Sequence, residues 1–270
     1  MEYREVRDWK KLAELGRLLD LKKLPEKIYY AGEWKANIFE NCAAVVGSRR
    51  MTEYGRWSVE RLVRELVGQG KTIVSGFMYG MDQAAHEAAI ESGGATIAVL
   101  GWGMTWKLEK RDQVLAEKII NSGGLIVSEW ENQEPGLWTF PVRNRIVAAL
   151  ASAVYVVEAA EKSGSMITVN EAIKLGRVVW AVPGPITSQV SSGTNNLIAS
   201  GKAKPWLPGK TNVPVAVETP VYRLIKEQGG LSADEMGRIL GVGVDVLGIE
   251  LTHLVLSGVV VERDGQYYQS

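Results

Sequence analysis

The segment FPVRNRIVAAL, residues 140–150, places two arginines where a helix would disfavour them. Pro141 suits the first turn of a helix, and the apolar run after it is typical of a buried helix. Arg143 and Arg145 would then lie in the first turn, where the helix dipole disfavours a cation by a few tenths of a kcal/mol. Either both side chains point into water, or an anion such as a phosphate lies in front of this helix end.

Glycine- and serine-containing turns follow several apolar runs of the sequence. Gly47, Ser48 and Arg49 follow the first run, and residues 75–76 and 162–165 follow later ones. Backbone N–H groups in such turns can approach a ligand, and the N-terminus of the next helix favours phosphate. A single turn is explained by the geometry of a strand–helix connection, but the turns and the two arginines together indicate an anion-binding surface.

Other chemistries lack their signatures. The turn after the first strand is not a G-x-G-x-x-G motif, and we find no Walker loop, serine elbow or Cys/His pair. His86 falls in an alanine-rich helix, where we expect it to pack, and we expect Glu158 at a strand end to cap a helix or orient an arginine. The sequence therefore predicts no catalytic residue, no cofactor and no metal.

Four of the nine tryptophans follow predicted strands on the ligand side of the fold: Trp102, Trp106, Trp130 and Trp138. Aromatic side chains in such positions can stack on unpaired bases. They can equally form a hydrophobic lid or a subunit interface, and the sequence leaves both interpretations open.

Six short apolar runs alternate with helical segments between residues 42 and 184. This pattern predicts an α/β fold with a doubly wound, mostly parallel Rossmann-like sheet, in which ligands bind beyond the carboxyl ends of the strands. The predicted domains are a short N-terminal helical extension (1–40), the Rossmann-like domain (41–203), a linker (204–217) and a C-terminal winged-helix domain (218–270).

Composition limits the possible partners. Lys plus Arg and Asp plus Glu both number 31, so a polyanion must be held by local geometry and not by a broad positive field. The segment 218–270 has four basic and eight acidic residues, which favours protein contacts over duplex DNA. The single cysteine and the lack of a signal-like or bilayer-length apolar run predict a soluble, cytoplasmic protein without membrane contact.

Five motifs carry a resemblance to a known family: VVGSRRMTEYG, IVSGFMYGMDQAAHEAAIESGGATIAVLG, FPVRNRIVAALA, VVEAAEKSGSMITVNEAIKLGRVVWAVPG and SSGTNNLIASGKA. In this order, from about residue 42 to 203, they resemble the DNA-processing protein A (DprA/Smf) family. The resemblance implies a non-enzymatic protein that binds single-stranded DNA, forms a homodimer and helps to load a RecA-type recombinase in transformation or recombination.

The resemblance also implies which residues contact DNA, and these include the arginines of the opening segment. Two positions depart from the family pattern: Tyr79 stands where a basic residue is usual, and Asp112 stands where an amide is usual. The implied DNA-binding residues are Gly47, Ser48, Arg49, Lys110, Phe140, Arg143, Asn144, Arg145, Lys162, Ser163, Gly164 and Ser165.

Two alternative functions remain open at this point. One is binding or cleavage of a nucleoside monophosphate, as in phosphoribohydrolases that resemble lysine decarboxylases, although the stretch PGPITSQVSSGTNN lacks the glycine pair and the glutamate of their signature. The other is a pure protein-interaction module, in which the tryptophans and the acidic C-terminal segment bind proteins.

Overall fold

The computed structural model describes residues 2–209, 219–256 and 260–269. It divides into two compact units, Met1–Pro208 and Gly209–Ser270. Within the described residues, no helix combines the length and the apolar character needed to cross a bilayer.

The larger unit is built on a single sheet. Its strands among the described residues are β1 (Arg4–Glu5), β2 (Tyr29–Gly32), β3 (Cys42–Val46), β4 (Thr72–Ser75), β5 (Thr96–Val99), β6 (Leu125–Ser128), β7 (Ala153–Val156), β8 (Val178–Ala181) and β9 (Lys204–Pro205). Their order is β1-β2-β6-β5-β4-β3-β7-β8-β9. Strands β3 to β9 run parallel, whereas β2 pairs antiparallel with β6 and with β1. This confirms the predicted mostly parallel α/β sheet.

Helices cover both faces of this sheet. They are α1 (Glu53–Gly68), α2 (Met81–Glu91), α3 (Lys110–Asn121), α4 (Thr139–Leu150), α5 (Ser165–Lys174) and α6 (Ser192–Ala199). Alternate residues of the fully buried β3 pack on opposite faces: Ala43 and Val45 join the core of α1 and α2, and Ala44 and Val46 join the core that includes α4. This two-sided burial is why the strand reads as a continuous apolar run.

The N-terminal segment differs from its prediction as a helical extension. Ala13–Asp20 is a 3₁₀ helix with Leu15 and Leu18 buried, and β1 and β2 extend the sheet beyond β6. The spacing of the leucines correctly indicates a buried face of this segment. The pairing of β2 with β6 is not visible in the local sequence, because β6 lies almost a hundred positions further along the chain. Covering that edge also removes unpaired backbone groups from solvent.

The smaller unit contains α7 (Pro220–Gln228), β10 (Leu231–Ser232), α8 (Ala233–Leu240), α9 (Val244–Leu256), β11 (Val260–Arg263) and β12 (Gln266–Gln269), with the strands in the order β10-β12-β11. The hairpin turns at Asp264 and Gly265, both with positive φ, as its Asp-Gly pair predicts. These are the elements of the expected winged helix, an assignment that stays a prediction. Of the expected linker, residues 204–205 form β9 and 210–217 lie outside the described residues.

Candidate nucleic-acid interface

A cleft of about 550 Å³ lies at the carboxyl ends of β3, β4 and β7, where the strand order reverses. This is the position at which open α/β sheets bind ligands. A larger cleft of about 950 Å³ beside β1, β2 and α3 is lined by none of the residues implied to contact DNA, so we place the site in the smaller one. The implied residues that line the smaller cleft are Gly47, Ser48, Arg49, Phe140, Arg143, Asn144, Ser163, Gly164 and Ser165.

The charge of this cleft differs from that of the whole chain. The charged residues among those that line it are Arg49, Arg50, Arg143 and Asp82, so three guanidiniums face one carboxylate. The full sequence carries equal numbers of acidic and basic residues. The cleft therefore concentrates positive charge locally, which suits an anionic ligand of limited size.

The turn after β3 is held against the start of α2. The backbone N–H of Met81 donates to the carbonyl of Ser48 at 3.1 Å. Gly80 has a φ of +86°, and a Cβ on it would lie 2.6 Å from the carbonyl oxygen of Arg49. Only glycine fits both the conformation and the contact, so Gly80 sets where the backbone of Arg49 lies.

Arg49 itself is exposed, and its guanidinium lies near two aromatic rings. The guanidinium carbon is 5.4 Å from the ring centroid of Phe140 and 5.8 Å from that of Tyr79. The Phe140 ring in turn lies over Gly101, where a Cβ would come within 2.6 Å of the ring. The absence of a side chain at Gly101 thus makes room for Phe140 at the cleft wall.

Arg143 is buried at the base of the cleft. Because α4 begins at Thr139, Arg143 lies in the second turn and not, as expected from Pro141, in the first. Its guanidinium donates to the carbonyl of Val99 at the end of β5, and Nε donates to Oδ1 of Asn144 at 3.2 Å. Burial lowers the pKa of Arg143 to about 10, opposed by the negative charge of Asp82, so the side chain stays charged at neutral pH.

Arg145, which the resemblance implies as a DNA contact, is not among the residues that line the cleft. Its Nη1 and Nη2 donate to Oε1 and Oε2 of Glu129 at 2.9 and 2.6 Å, and the two side chains are 10% and 8% exposed. Residues two apart on a helix point about 200° from each other, so Arg143 and Arg145 cannot share a face. The carboxylate that Arg145 binds belongs to the protein.

The two predicted lysines also stand apart from the cleft. Lys110 is the first residue of α3 and Lys162 precedes the serine turn; both are exposed, and neither lines the cleft. Asp112, the acidic residue at an unusual position, accepts a hydrogen bond from Nε2 of Gln83 at 2.9 Å. Contacts of the lysines with DNA stay predictions.

The serine turn closes the cleft opposite Arg49. The hydroxyls of Ser163 and Ser165 lie 2.8 Å apart, and Nδ2 of Asn144 donates to the carbonyl of Gly164 at 3.3 Å. Helix α5 begins at Ser165, so its N-terminal end faces the cleft and adds a favourable potential for an anion.

Glu158 and His86 have the structural roles expected of them. Glu158 accepts hydrogen bonds from the N–H and the hydroxyl of Thr52, the residue that caps α1. His86 is fully buried, with Nε2 2.5 Å from the carbonyl of Gly76 and Nδ1 2.7 Å from the hydroxyl of Thr96. A carbonyl can only accept, so Nε2 carries the proton, and this bond fixes the turn beside Arg143.

We expect the stability of the protein to fall as the pH is lowered from about 6.5 to about 4. Burial lowers the pKa of His86 to about 4, from an ordinary value of 6.5, so between these values only the unfolded state binds the proton. The loss is about 3 kcal/mol and is complete below pH 4. Urea denaturation at several pH values in this range should show that the free energy of unfolding falls more steeply on lowering the pH for the wild type than for His86→Gln. Equal pH dependence of the two proteins would show that His86 is not the group responsible.

Gly76→Ala should destabilise the protein by about 1–3 kcal/mol through overpacking. A Cβ at this position would lie 2.6 Å from both Nη atoms of Arg143 and closer still to Asp82. The matched control is Gly68→Ala. Gly68 is the last residue of α1, and a Cβ added to it would meet no atom within 4 Å. Thermal or urea unfolding should separate the two variants, and equal stabilities would show that the packing at Gly76 is loose.

The four tryptophans on the ligand side have other neighbours. Trp102 is buried and packs edge-to-face on Phe140. Trp130 and Trp138 pack edge-to-face on each other, with their ring centroids 5.9 Å apart. Trp106 lines the larger cleft, and none of the four is among the residues lining the smaller one. The aromatic rings of the cleft are those of Phe140 and Tyr79, and the sequence alone marks Tyr79 only as the loss of a basic residue.

The described residues contain no group of three or more His, Cys, Asp or Glu side chains placed to hold a metal ion. The one cysteine, Cys42, is buried in β3, and its thiol donates to the carbonyl of Ile38 at 3.3 Å. Burial raises the pKa of this thiol to about 12, which keeps it protonated at neutral pH.

The chain is similar to known proteins over most of its length. The sequence model of the family described as DNA recombination-mediator protein A matches residues 8–213. Protein Smf of Escherichia coli is 37% identical over 262 residues, covering 93% of this chain and 67% of its own. DNA processing protein DprA of Streptococcus pneumoniae is 40% identical over 185 residues, and the match covers 68% of this chain and 64% of that relative. The chain thus spans about two thirds of the length of these relatives.

Two solved structures share the fold of the chain. The X-ray structure of DNA processing protein A from Streptococcus pneumoniae has a TM-score of 0.67 and 35% identity, covering 76% of this chain and 71% of that one. The structure of DNA processing protein A from Helicobacter pylori was reported for its single-stranded DNA binding mode. It has a TM-score of 0.67 and 30% identity, and the match covers 76% of this chain and 91% of that one. The resemblance seen in the motifs is confirmed.

Proposed function

Because the chain belongs to the DNA recombination-mediator protein A family, we propose that it binds single-stranded DNA in the cleft between Arg49, Arg143 and the start of α5. The observation that carries this proposal is the concentration of three arginines against one aspartate in a chain without net charge. The description of the Helicobacter pylori relative as a single-stranded DNA-binding protein supports the choice of ligand.

The shape of the cleft favours a flexible single strand over a duplex. Its positive charge is confined to one concave site of about 550 Å³, which a few phosphates and bases of a single strand can enter. Binding to a duplex rests on many phosphate contacts along an extended basic face, and equal numbers of acidic and basic residues do not favour such a face.

The experiment that tests this proposal is fluorescence anisotropy of a labelled oligo-dT over a series of salt concentrations. We expect binding that weakens as salt rises and that duplex DNA of equal length does not displace. Absence of binding at low salt would sink the proposal, and displacement by the duplex would show that the cleft does not select single strands.

We also propose that the protein forms a homodimer and assists the loading of a RecA-type recombinase during transformation or recombination. The acidic excess of segment 218–270 supports a protein-contacting role for the smaller unit. Sedimentation equilibrium tests the homodimer, and a monomeric mass would contradict it. Assembly of recombinase filaments on single strands coated with this protein tests the loading role, and an unchanged assembly rate would contradict that part alone.

We propose no catalytic step. Glu158 and His86, the two residues that the sequence offers as possible bases, are engaged in internal hydrogen bonds and are 1% and 0% exposed. Release of free base from nucleoside monophosphates would contradict this view and would move the alternative nucleotide-cleaving function ahead.

A further inference from the structure

The Tyr79 ring, which lies in the turn between β4 and α2, contacts the guanidinium of Arg49. This ring and the Phe140 ring lie 5.8 and 5.4 Å from the guanidinium carbon, within the range of cation–π attraction. They come from two different parts of the chain, the turn before α2 and helix α4, and both contact the same guanidinium. We refer to Tyr79 and Phe140 as the aromatic clamp.

Besides the charge of Asp82, which acts on Arg49 from within the cleft, the two rings are the contacts within the described residues that can hold this side chain. The residue is exposed, and a long arginine side chain at the surface samples many rotamers. The positive charge of Arg143 also acts on Arg49, since the two guanidiniums share the cleft. Ring faces carry negative potential, so they attract the guanidinium without neutralising it and without occupying its N–H groups.

The backbone around the clamp is fixed by close contacts. Gly80, the neighbour of Tyr79, touches the carbonyl of Arg49, and Met81 donates to the carbonyl of Ser48. Phe140 lies against Gly101 and Trp102. The turn that carries the Tyr79 ring is therefore packed directly against the Arg49 backbone, and the Phe140 ring is packed against the end of β5.

We propose that Tyr79 is a positioning residue for Arg49, holding the guanidinium at the cleft so that its N–H groups meet a DNA phosphate. This inference rests on the proposed binding of single-stranded DNA. Tyr79 acts through Arg49 and by its ring, so its hydroxyl is not needed and its effect vanishes when the guanidinium is absent.

A double-mutant cycle with oligo-dT tests the proposal. Tyr79→Leu should weaken binding about three- to fivefold, whereas Tyr79→Phe, which keeps the ring, should stay within about 1.5-fold of the wild type. In an Arg49→Ala background, Tyr79→Leu should cause no further loss. An equal loss in both backgrounds would mean that Tyr79 contacts DNA directly, which overturns the positioning role.

A second measurement tests the clamp without DNA. The ¹⁵Nε order parameter of Arg49 in the free protein should fall in Tyr79→Leu and should be retained in Tyr79→Phe. An unchanged order parameter in Tyr79→Leu overturns the proposal. If the wild type fails to bind oligo-dT while the order parameters behave as expected, the proposed function fails and the clamp stands.

Discussion

Replacing Arg145 with methionine is expected to lower the free energy of unfolding by about 3–5 kcal/mol and to leave the affinity for single-stranded DNA within about twofold. The substitution removes both hydrogen bonds to Glu129 and leaves a buried carboxylate without its cation. Urea denaturation at pH 7 measures the loss of stability, and oligo-dT anisotropy at low denaturant measures the affinity of the folded fraction.

The control for this prediction removes the partner as well. Arg145→Met combined with Glu129→Leu should recover most of the lost stability, because a buried ion pair contributes little net stability over apolar side chains of similar size. A stable Arg145→Met variant with weakened, less salt-dependent DNA binding would show that this arginine leaves Glu129 to reach the ligand.

Replacing Arg49 with alanine should have the opposite pattern of effects. Loss of a charge-assisted hydrogen bond to phosphate should weaken oligo-dT binding about 10- to 100-fold, and the slope of log affinity against log salt should shrink by about 0.7. The free energy of unfolding should change by no more than about 0.5 kcal/mol, because Arg49 is exposed.

Arg64→Ala is the matched control for Arg49→Ala. Arg64 is an exposed arginine of α1 that does not line the cleft, so its loss changes the net charge equally without removing a proposed contact. Anisotropy over the same salt series should give the wild-type slope for Arg64→Ala and a reduced slope for Arg49→Ala. Equal slopes for the two variants would mean that binding follows the overall charge and not the cleft.

Arg143 and Arg145 answer the question raised by residues 140–150 in a way that the sequence did not offer, since both guanidiniums have partners inside the protein. Neither guanidinium lies in the first helical turn, so the unfavourable interaction with the helix dipole is weaker than expected. Arg143 uses a backbone carbonyl of β5 and still faces the cleft, and Arg145 uses a carboxylate after β6. Both buried arginines are thus matched by internal acceptors, and of the two Arg143 is the one that lines the cleft.

The sequence by itself determined the sheet and the edge at which the cleft lies. In a short, uninterrupted apolar run such as residues 42–46, side chains on both faces of the strand must be buried, and the glycine turn that follows lies at the carboxyl end of the strand. It could not predict β1 and β9, which are two residues long, or β2, whose partner is distant in sequence. Such strands form because they can pair with an exposed edge of the sheet, and the residues of the strand itself do not indicate that this edge is nearby.

Only the tertiary structure decided which side chains of the predicted set reach the cleft. Helical periodicity separates the directions of Arg143 and Arg145, but the choice between them depends on Glu129, 16 residues earlier on another element. Tyr79 counts as a lost cation in the sequence, and in the fold it lies against Arg49. Charge and spacing are properties of the chain, whereas the partner of each charge is set by the packing of elements that are distant in sequence.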